Sequence, residues 1–406
     1  MEEQIVVIGA GHAGISLSAC LREEGYEGRI WVIGAEEATP YHRPPLSKEF
    51  MTSAQDSPRT LRDEHFYRDN DIDLMLGETV NEVDLERRRV VVGDGREIRF
   101  GRLAIATGAS PRRLALAGDA LEGVCYLRNV GDAAAIRARL GEAEHVVVIG
   151  GGFLGLEVAA TLGSLGHSVT VFEAGRTLMG RAVSPEVASH FLRRHREWGV
   201  DVVLDDAPES FVKRGGALAG VTTSRGRSIS ATTAIIGVGV TPETRLAERA
   251  GLRCRDGIEV DASMRAGADW VVAAGDCARF PRAGGRDRVR IESVQNASDQ
   301  ARTAAASLLG RPAPFSAVPW FWSSQRDERL QIAGLIDGPT ESVVRGHVGS
   351  GRFSVFRFRG DRLVAVDSVN RPGEHIVARK LLRAGRSPTR EQAGDPEFEL
   401  KGLISS

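Results

Sequence analysis

The chain has 406 residues, 42% hydrophobic and 26% charged, with a formal net charge of -1. This is the composition of an ordinary soluble globular protein of about two to three domains, and the charge balance gives no global attraction for nucleic acid or an anionic membrane. The acidic start Met1-Glu2-Glu3-Gln4 does not read as a secretory leader, so none is expected, and apolar runs such as Ile235–Val240 fall far short of the roughly 20 residues a membrane helix needs. A cytoplasmic protein is therefore expected. The four cysteines, Cys20, Cys125, Cys254 and Cys277, form no Cys-x-x-Cys. That spacing argues against a zinc ribbon, a protein-bound iron–sulfur cluster or a dithiol relay, and no metal site is expected.

In chain order, Ile5–Ile8 reads as a buried parallel strand, followed at once by Gly9-Ala10-Gly11-His12-Ala13-Gly14. A helical stretch, Ile15–Glu24, and a second strand, Arg29–Ile33, lead to Glu36. This order is what a dinucleotide requires. Gly9 permits the tight turn, Gly11 lets backbone approach the pyrophosphate, and Gly14 lets helix and strand pack closely. The helix N-terminus offers N–H groups to the phosphates, and a carboxylate accepts from the ribose hydroxyls. Either Glu36 or its neighbour Glu37 can supply that carboxylate.

Leu103–Ala106 with Thr107-Gly108 is a buried strand with a sharp exit. The first unit then recurs as strand His145–Ile149, the loop Gly150-Gly151-Gly152-Phe153-Leu154-Gly155, helix Leu156–Leu165 and strand His167–Phe172, ending at Glu173. Two such units imply two dinucleotides, and a carboxylate at Glu173 repels a 2′-phosphate, which favours NADH over NADPH. Further strands are expected at Ile235–Val240 before Thr241-Pro242, and at Trp270–Ala274 before Gly275-Asp276. Trp320 and Trp322 alternate with Phe321 and so face one side of a strand. Strands Arg352–Phe358 and Leu363–Val366 are joined by Gly360-Asp361. The segment Arg371–Arg390 carries Arg371, Arg379, Lys380, Arg383, Arg386 and Arg390 against one acid, Glu374, and its basic face would suit an acidic partner. After Gly385 the polar, proline-containing tail is expected to be loosely ordered.

Several ordered motifs carry a resemblance: Pro40-Tyr41-His42-Arg43-Pro44-Pro45-Leu46-Ser47-Lys48, the GGGxxGxE run Gly150–Glu157, Gly275-Asp276-Cys277-Ala278, Arg290–Ala297, Val318–Ser323 and Val369-Asn370-Arg371-Pro372. From Ile5 to about Arg383 the chain resembles the FAD-dependent pyridine-nucleotide reductases, a fold shared with glutathione reductase. The branch it most resembles is that of the NADH-dependent ferredoxin reductases of oxygenase systems. The fold implied is α/β, with two Rossmann-like dinucleotide-binding domains of glutathione-reductase type plus a C-terminal α+β domain. The implied boundaries are an FAD domain at 1–108 and 237–317, an NADH domain at 109–236 and a C-terminal domain at 318–406. The disulfide branch carries a redox cysteine pair near Pro44-Pro45 and the peroxide-reducing relatives a single cysteine near Arg43; this chain has neither.

By the resemblance, hydride passes from NADH to FAD and single electrons pass on to a [2Fe-2S] ferredoxin that feeds a haem monooxygenase or Rieske dioxygenase. Alternatives from the same fold are a rubredoxin reductase and an NADH oxidase or quinone reductase. Lys48 is placed near the flavin's hydride-accepting nitrogen, paired with Glu157. The FAD set is Gly9, Gly11, His12, Ala13, Gly14, Glu36, Arg43, Lys48, Val80, Thr107, Gly108, Arg128, Gly275, Asp276, Val294, Trp320 and Trp322. His12 reads as a loop filler where the family has an apolar residue, and one of the two tryptophans covers the flavin's exposed edge. The NADH set is Gly150, Gly152, Phe153, Leu154, Gly155, Glu173 and Arg181. Family members are monomers or weak homodimers.

Overall fold

A computed structural model describes residues 4–53, 57–141, 145–180, 182–282 and 287–405. The chain divides into two compact units, each discontinuous: residues 1–42, 58–110 and 240–317 form the first, and 43–57, 111–239 and 318–406 the second.

In the first unit, a six-stranded sheet with a β-branched, fully buried strand at its centre runs in the order Arg265–Ala266, Ala268–Ala273, Arg102–Ile105, Ile5–Ile8, Ile30–Gly34, Ile72–Leu76. All its neighbours pair in parallel except the short Arg265–Ala266 edge. Ile5, Val6 and Val7 have no solvent exposure at all, as expected of a sheet covered on both faces. Helices His12–Glu23 and Val294–Leu308 pack together, with the Ser16 and Ser298 hydroxyls 3.3 Å apart.

In the second unit, a five-stranded parallel sheet runs Asp201–Leu204, Ser168–Glu173, His145–Ile149, Thr233–Ile236, Val124–Tyr126. The segment 43–57 adds a short 3-10 turn, Pro44–Ser47, and a helical turn, Glu49–Thr52. A five-stranded antiparallel sheet follows, in the order Trp320–Gln325, Glu328–Gly334, Arg362–Val369, Arg352–Arg359, Glu341–His347, against which helix Pro372–Ala384 packs. The fold class is thus α/β with a C-terminal α+β domain, as expected.

Three expectations change. Both glycine-loop helices begin three residues earlier than read, at His12 and Phe153, because the last residues of each loop already form the first helical turn. The run Ile235–Val240 is not one strand. It ends at Ile236, where Gly237 passes against Gly150, and pairing resumes only at Val240–Pro242. The tail after Gly385 is ordered rather than loose. Thr389 and Gln392 form a capping box for helix Arg390–Gly394, and Ala393 and Leu400 are buried. Its anchor is Arg345, nearly fully buried, whose guanidinium donates to the carbonyls of Gln392, Asp395, Pro396 and Phe398. No composition signal in the tail itself announces that clamp.

Candidate functional site

In the first unit the parallel strands deliver their C-terminal ends side by side, Ile8 beside Ile33 and Ile105, and Ile105 beside Ala273. Open parallel sheets bind ligands at this edge, and the residues that follow those ends are Gly9, Glu36, Thr107–Gly108 and Gly275–Asp276. Gly9 has φ +110°, and a Cβ there would collide with the Ala106 carbonyl. One on Gly14 would collide with the Gly9 carbonyl, whereas one on Gly11 would meet no protein atom within 4 Å. The loop is therefore closed against protein on both flanks and open at its middle. Helix His12–Glu23 beyond it has no side-chain cap and no acid in its first turn, so its orphan N–H groups face that opening. An anionic pyrophosphate fits this cradle.

Other predicted residues gather around the same edge. Gly275 lies against Ala13, with 2.9 Å between a Cβ placed there and the Ala13 Cβ, and its N–H donates to buried Gln300 at 2.8 Å. Asp276 follows, its carbonyl accepting from Arg290 at 3.3 Å. Thr107 donates to the Glu243 carbonyl at 2.7 Å, and Val294 opens a helix capped by Ser293. Val80 begins strand Val80–Asp84 and packs on the core of this unit. Glu36 is half-buried and accepts from the Tyr41 hydroxyl, while Glu37 is exposed. The His12 ring lies 3.4 Å from a nitrogen of His42, so it fills the loop against a second ring.

The second unit repeats the cradle. Gly150 also has φ +110° and would collide through a Cβ with the Gly237 carbonyl; Gly155 would collide with the Gly150 carbonyl; Gly152 would meet nothing within 4 Å. Helix Phe153–Ser164 is likewise uncapped and free of first-turn acids. Glu173 ends its strand beside the loop and accepts from Gly151 N–H at 2.8 Å and Gly175 N–H at 2.6 Å. Phe153 packs on Phe321, ring centroids 4.5 Å apart, and Leu154 is half-buried. Arg181 lies outside the described residues.

One turn into that helix, Glu157 is buried and meets Lys48, its Oε2 accepting from Nζ at 2.5 Å. Sequence reading paired these two but missed what holds them. Ser47 donates to the same carboxylate at 2.7 Å, Ser323 donates to its other oxygen at 2.8 Å, and Thr161 donates to the Ser47 carbonyl at 2.9 Å. Ser323 carried one available signal: it alternates with the tryptophans, so it faces the opposite side of strand Trp320–Gln325. Arg43 and Arg128, far apart in sequence, are also brought together, Arg43 donating to the Arg128 carbonyl at 2.6 Å. Trp320 and Trp322 share a face with centroids 5.5 Å apart, and Trp320 lies against His375 and under the Arg379 guanidinium.

Residues 3–301 match the pyridine nucleotide-disulphide oxidoreductase family. The chain belongs to that family. Residues 320–404 match a second description, reductase C-terminal. The chain is 43% identical to rhodocoxin reductase from Rhodococcus erythropolis, over 99% of this chain and 94% of that one. Among solved structures it is similar to the ferredoxin reductase for the CYP199A2 system from Rhodopseudomonas palustris, at 39% identity and TM-score 0.96, covering 99% of this chain and all of that one. It is also similar to the chain of a covalent putidaredoxin reductase–putidaredoxin complex, at 36% identity and TM-score 0.95, covering 99% and 98%. This pyridine nucleotide-disulphide oxidoreductase is accordingly an FAD-dependent enzyme that also uses a nicotinamide dinucleotide. The disulphide of the family name has no counterpart here, because all four cysteines are free.

Among the described residues no cluster of three or more His, Cys, Asp or Glu could hold a metal, and no helix is long and apolar enough to cross a membrane.

Proposed function

We propose that this enzyme is an NADH-dependent ferredoxin reductase whose acceptor is a [2Fe-2S] ferredoxin serving a haem monooxygenase or a Rieske dioxygenase. FAD belongs in the Gly9–Gly14 cradle of the first unit and NADH in the Gly150–Gly155 cradle of the second. On this reading the enzyme works in the cytoplasm as a monomer or weak homodimer. FAD, when bound, supplies the exchange between one hydride and two single electrons; the protein supplies position and electrostatics. Lys48 presents a fixed ammonium that favours negative charge developing beside it, and Glu157 keeps that ammonium in place at 2.5 Å.

The observation that carries the proposal is the strand Trp320–Gln325. It sets Ser323 on the Glu157 carboxylate and two tryptophans on its other face, so the reductase C-terminal module meets the Lys48–Glu157 pair directly. The relatives named for ferredoxin partners support the choice of acceptor. An acidic ferredoxin also suits Lys380, Arg383 and Arg386, which are exposed. The basic face is narrower than the sequence suggested, since Arg371 is tied to Glu374, and Arg390 to Glu341 and Asp361.

The test is anaerobic mixing with NADH followed by cytochrome c reduction with and without a [2Fe-2S] ferredoxin. Fast flavin bleaching and cytochrome reduction that depends strictly on ferredoxin, and weakens with salt, are expected. Bleaching with rapid reoxidation by oxygen or quinone and no ferredoxin dependence would overturn the assignment. For the nicotinamide cofactor, Glu173→Ala should lower the preference for NADH over NADPH by roughly tenfold, the size of one removed charge repulsion of a kcal/mol or more. An unchanged ratio of kcat/KM values would take Glu173 out of the ribose site.

A further inference from the structure

Glu157 is a buried carboxylate, and a buried charge is kept only when donors surround it. On one side it has Lys48 and Ser47, both on the segment 43–57. On the other it has Ser323, and behind Ser323 the donors continue. Gln325 Nε2 donates to the Ser323 hydroxyl at 3.2 Å, and Gln325 Oε1 lies 2.8 Å from His195 Nε2. Ser323 and His195 have no solvent exposure and Gln325 has 1%.

The geometry fixes the direction of every hydrogen. Because Ser323 gives its proton to Glu157, it accepts from the Gln325 amide. Because that amide nitrogen is spent on Ser323, its oxygen accepts from His195, which must carry its proton on Nε2. The far ring nitrogen, His195 Nδ1, is buried and has no hydrogen-bond partner among the described residues. A second proton there would be a buried charge without an acceptor. Burial, with Arg326 nearby, holds the His195 imidazole down at about 4, so it stays neutral near pH 7. The chain therefore ends blind: it carries no proton to solvent, and each link polarises the next toward the carboxylate.

We propose that Ser323, Gln325 and His195 are positioning residues for the Lys48–Glu157 pair, a one-way hydrogen-bond chain through which the C-terminal module holds the Glu157 carboxylate aimed at Lys48. This rests on the reading of Lys48 and Glu157 as hydride-site residues. The rival is a polar patch that merely glues the C-terminal sheet to the helix Pro185–Glu197 carrying His195.

The two are separated by anaerobic stopped-flow reduction of the FAD-loaded enzyme by NADH, together with 15N NMR of the histidine rings. Ser323→Ala and Gln325→Leu should each lower the limiting rate of flavin bleaching by about tenfold, the size of one charge-assisted hydrogen bond, with the dissociation constant for NADH little changed. Glu157→Gln should lower it at least as much. Adding Ser323→Ala to Glu157→Gln should then change the rate by less than about twofold, because the hydroxyl acts only through the carboxylate. In the wild-type spectrum His195 should be the neutral Nε2–H tautomer with a slowly exchanging ring proton, and that protection should be lost in Gln325→Leu.

Wild-type rates in Ser323→Ala, fully multiplicative effects in the double variant, or an Nδ1–H tautomer at His195 would each overturn the chain while leaving Glu157 in place. A wild-type rate in Glu157→Gln would instead overturn the reading of the hydride site, and the His195 tautomer would still report whether the chain exists. Should Gln325→Leu fail to fold, Ser323→Ala, which removes a single oxygen, carries the kinetic arm alone.

Discussion

Gly14→Val is expected to give a protein that purifies without FAD, and Gly155→Val a yellow protein that NADH no longer bleaches. Any Cβ on Gly14 collides with the Gly9 carbonyl and comes 3.3 Å from the Val7 side chain; one on Gly155 collides with the Gly150 carbonyl and comes 3.3 Å from Val148. Backbone carbonyls cannot rotate away as a flexible side chain can. Each helix must therefore lift from its strand, taking its N-terminal N–H groups off the phosphates. A misplacement of about 1 Å costs roughly a hundredfold in rate, so bleaching of Gly155→Val by NADH should fall by at least that much. The check is the flavin absorbance of each purified variant and its anaerobic reduction. If Gly155→Val lost its flavin and Gly14→Val kept it, the two cradles would have to exchange cofactors.

Stability should fall steeply as the solution is acidified from pH 6.5 to 4. His195 and His375 are buried imidazoles, each held at about 4 against an ordinary 6.5, chiefly by the cost of burying a charge. Over that window the unfolded chain takes up a proton at each ring that the folded chain refuses, so acid favours unfolding by about 3 kcal/mol per ring at pH 4. Asp367 works against them. Burial pushes its carboxyl up to about 6 from 3.8, so the folded chain binds that proton first and regains about 2 kcal/mol over the same range. A net loss of about 4 kcal/mol is expected, read as the urea midpoint at several pH values. Asp367→Asn, which removes the offset, should make the acid loss steeper. A midpoint that does not move between pH 6.5 and 4 would show that both rings are already hydrated in the folded protein.

How much of this was legible depended on sequence distance. The two cradles were legible because everything they need lies in one contiguous stretch: an apolar strand, three spaced glycines, a helix and a terminal acid. Even there the helix starts were misplaced, since glycines hide the first helical turn. The Lys48–Glu157 pair has no local signature. Its members are brought together across 109 residues, and only family resemblance pointed to them. Ser47, Ser323, Gln325 and His195 were not singled out at all, because a serine or glutamine in a strand looks the same whether it faces solvent or a buried carboxylate. The tail was misread for a similar reason: its order comes from Arg345, some 50 residues away.

The interleaving of the two units also sets a birth order. The strand Ala268–Ala273 completes the first unit's sheet by covering one side of Arg102–Ile105, yet it is made long after its neighbours. At about 5–20 residues per second, the ribosome needs roughly 8–30 s between Arg102–Ile105 and that strand. Throughout that interval Arg102–Ile105 offers an unpaired, apolar rim of the kind that recruits foreign strands. The nascent chain thus exposes that rim until Ala268–Ala273 emerges, and over-expression in the cold, where synthesis slows further, should lengthen that exposure rather than relieve it.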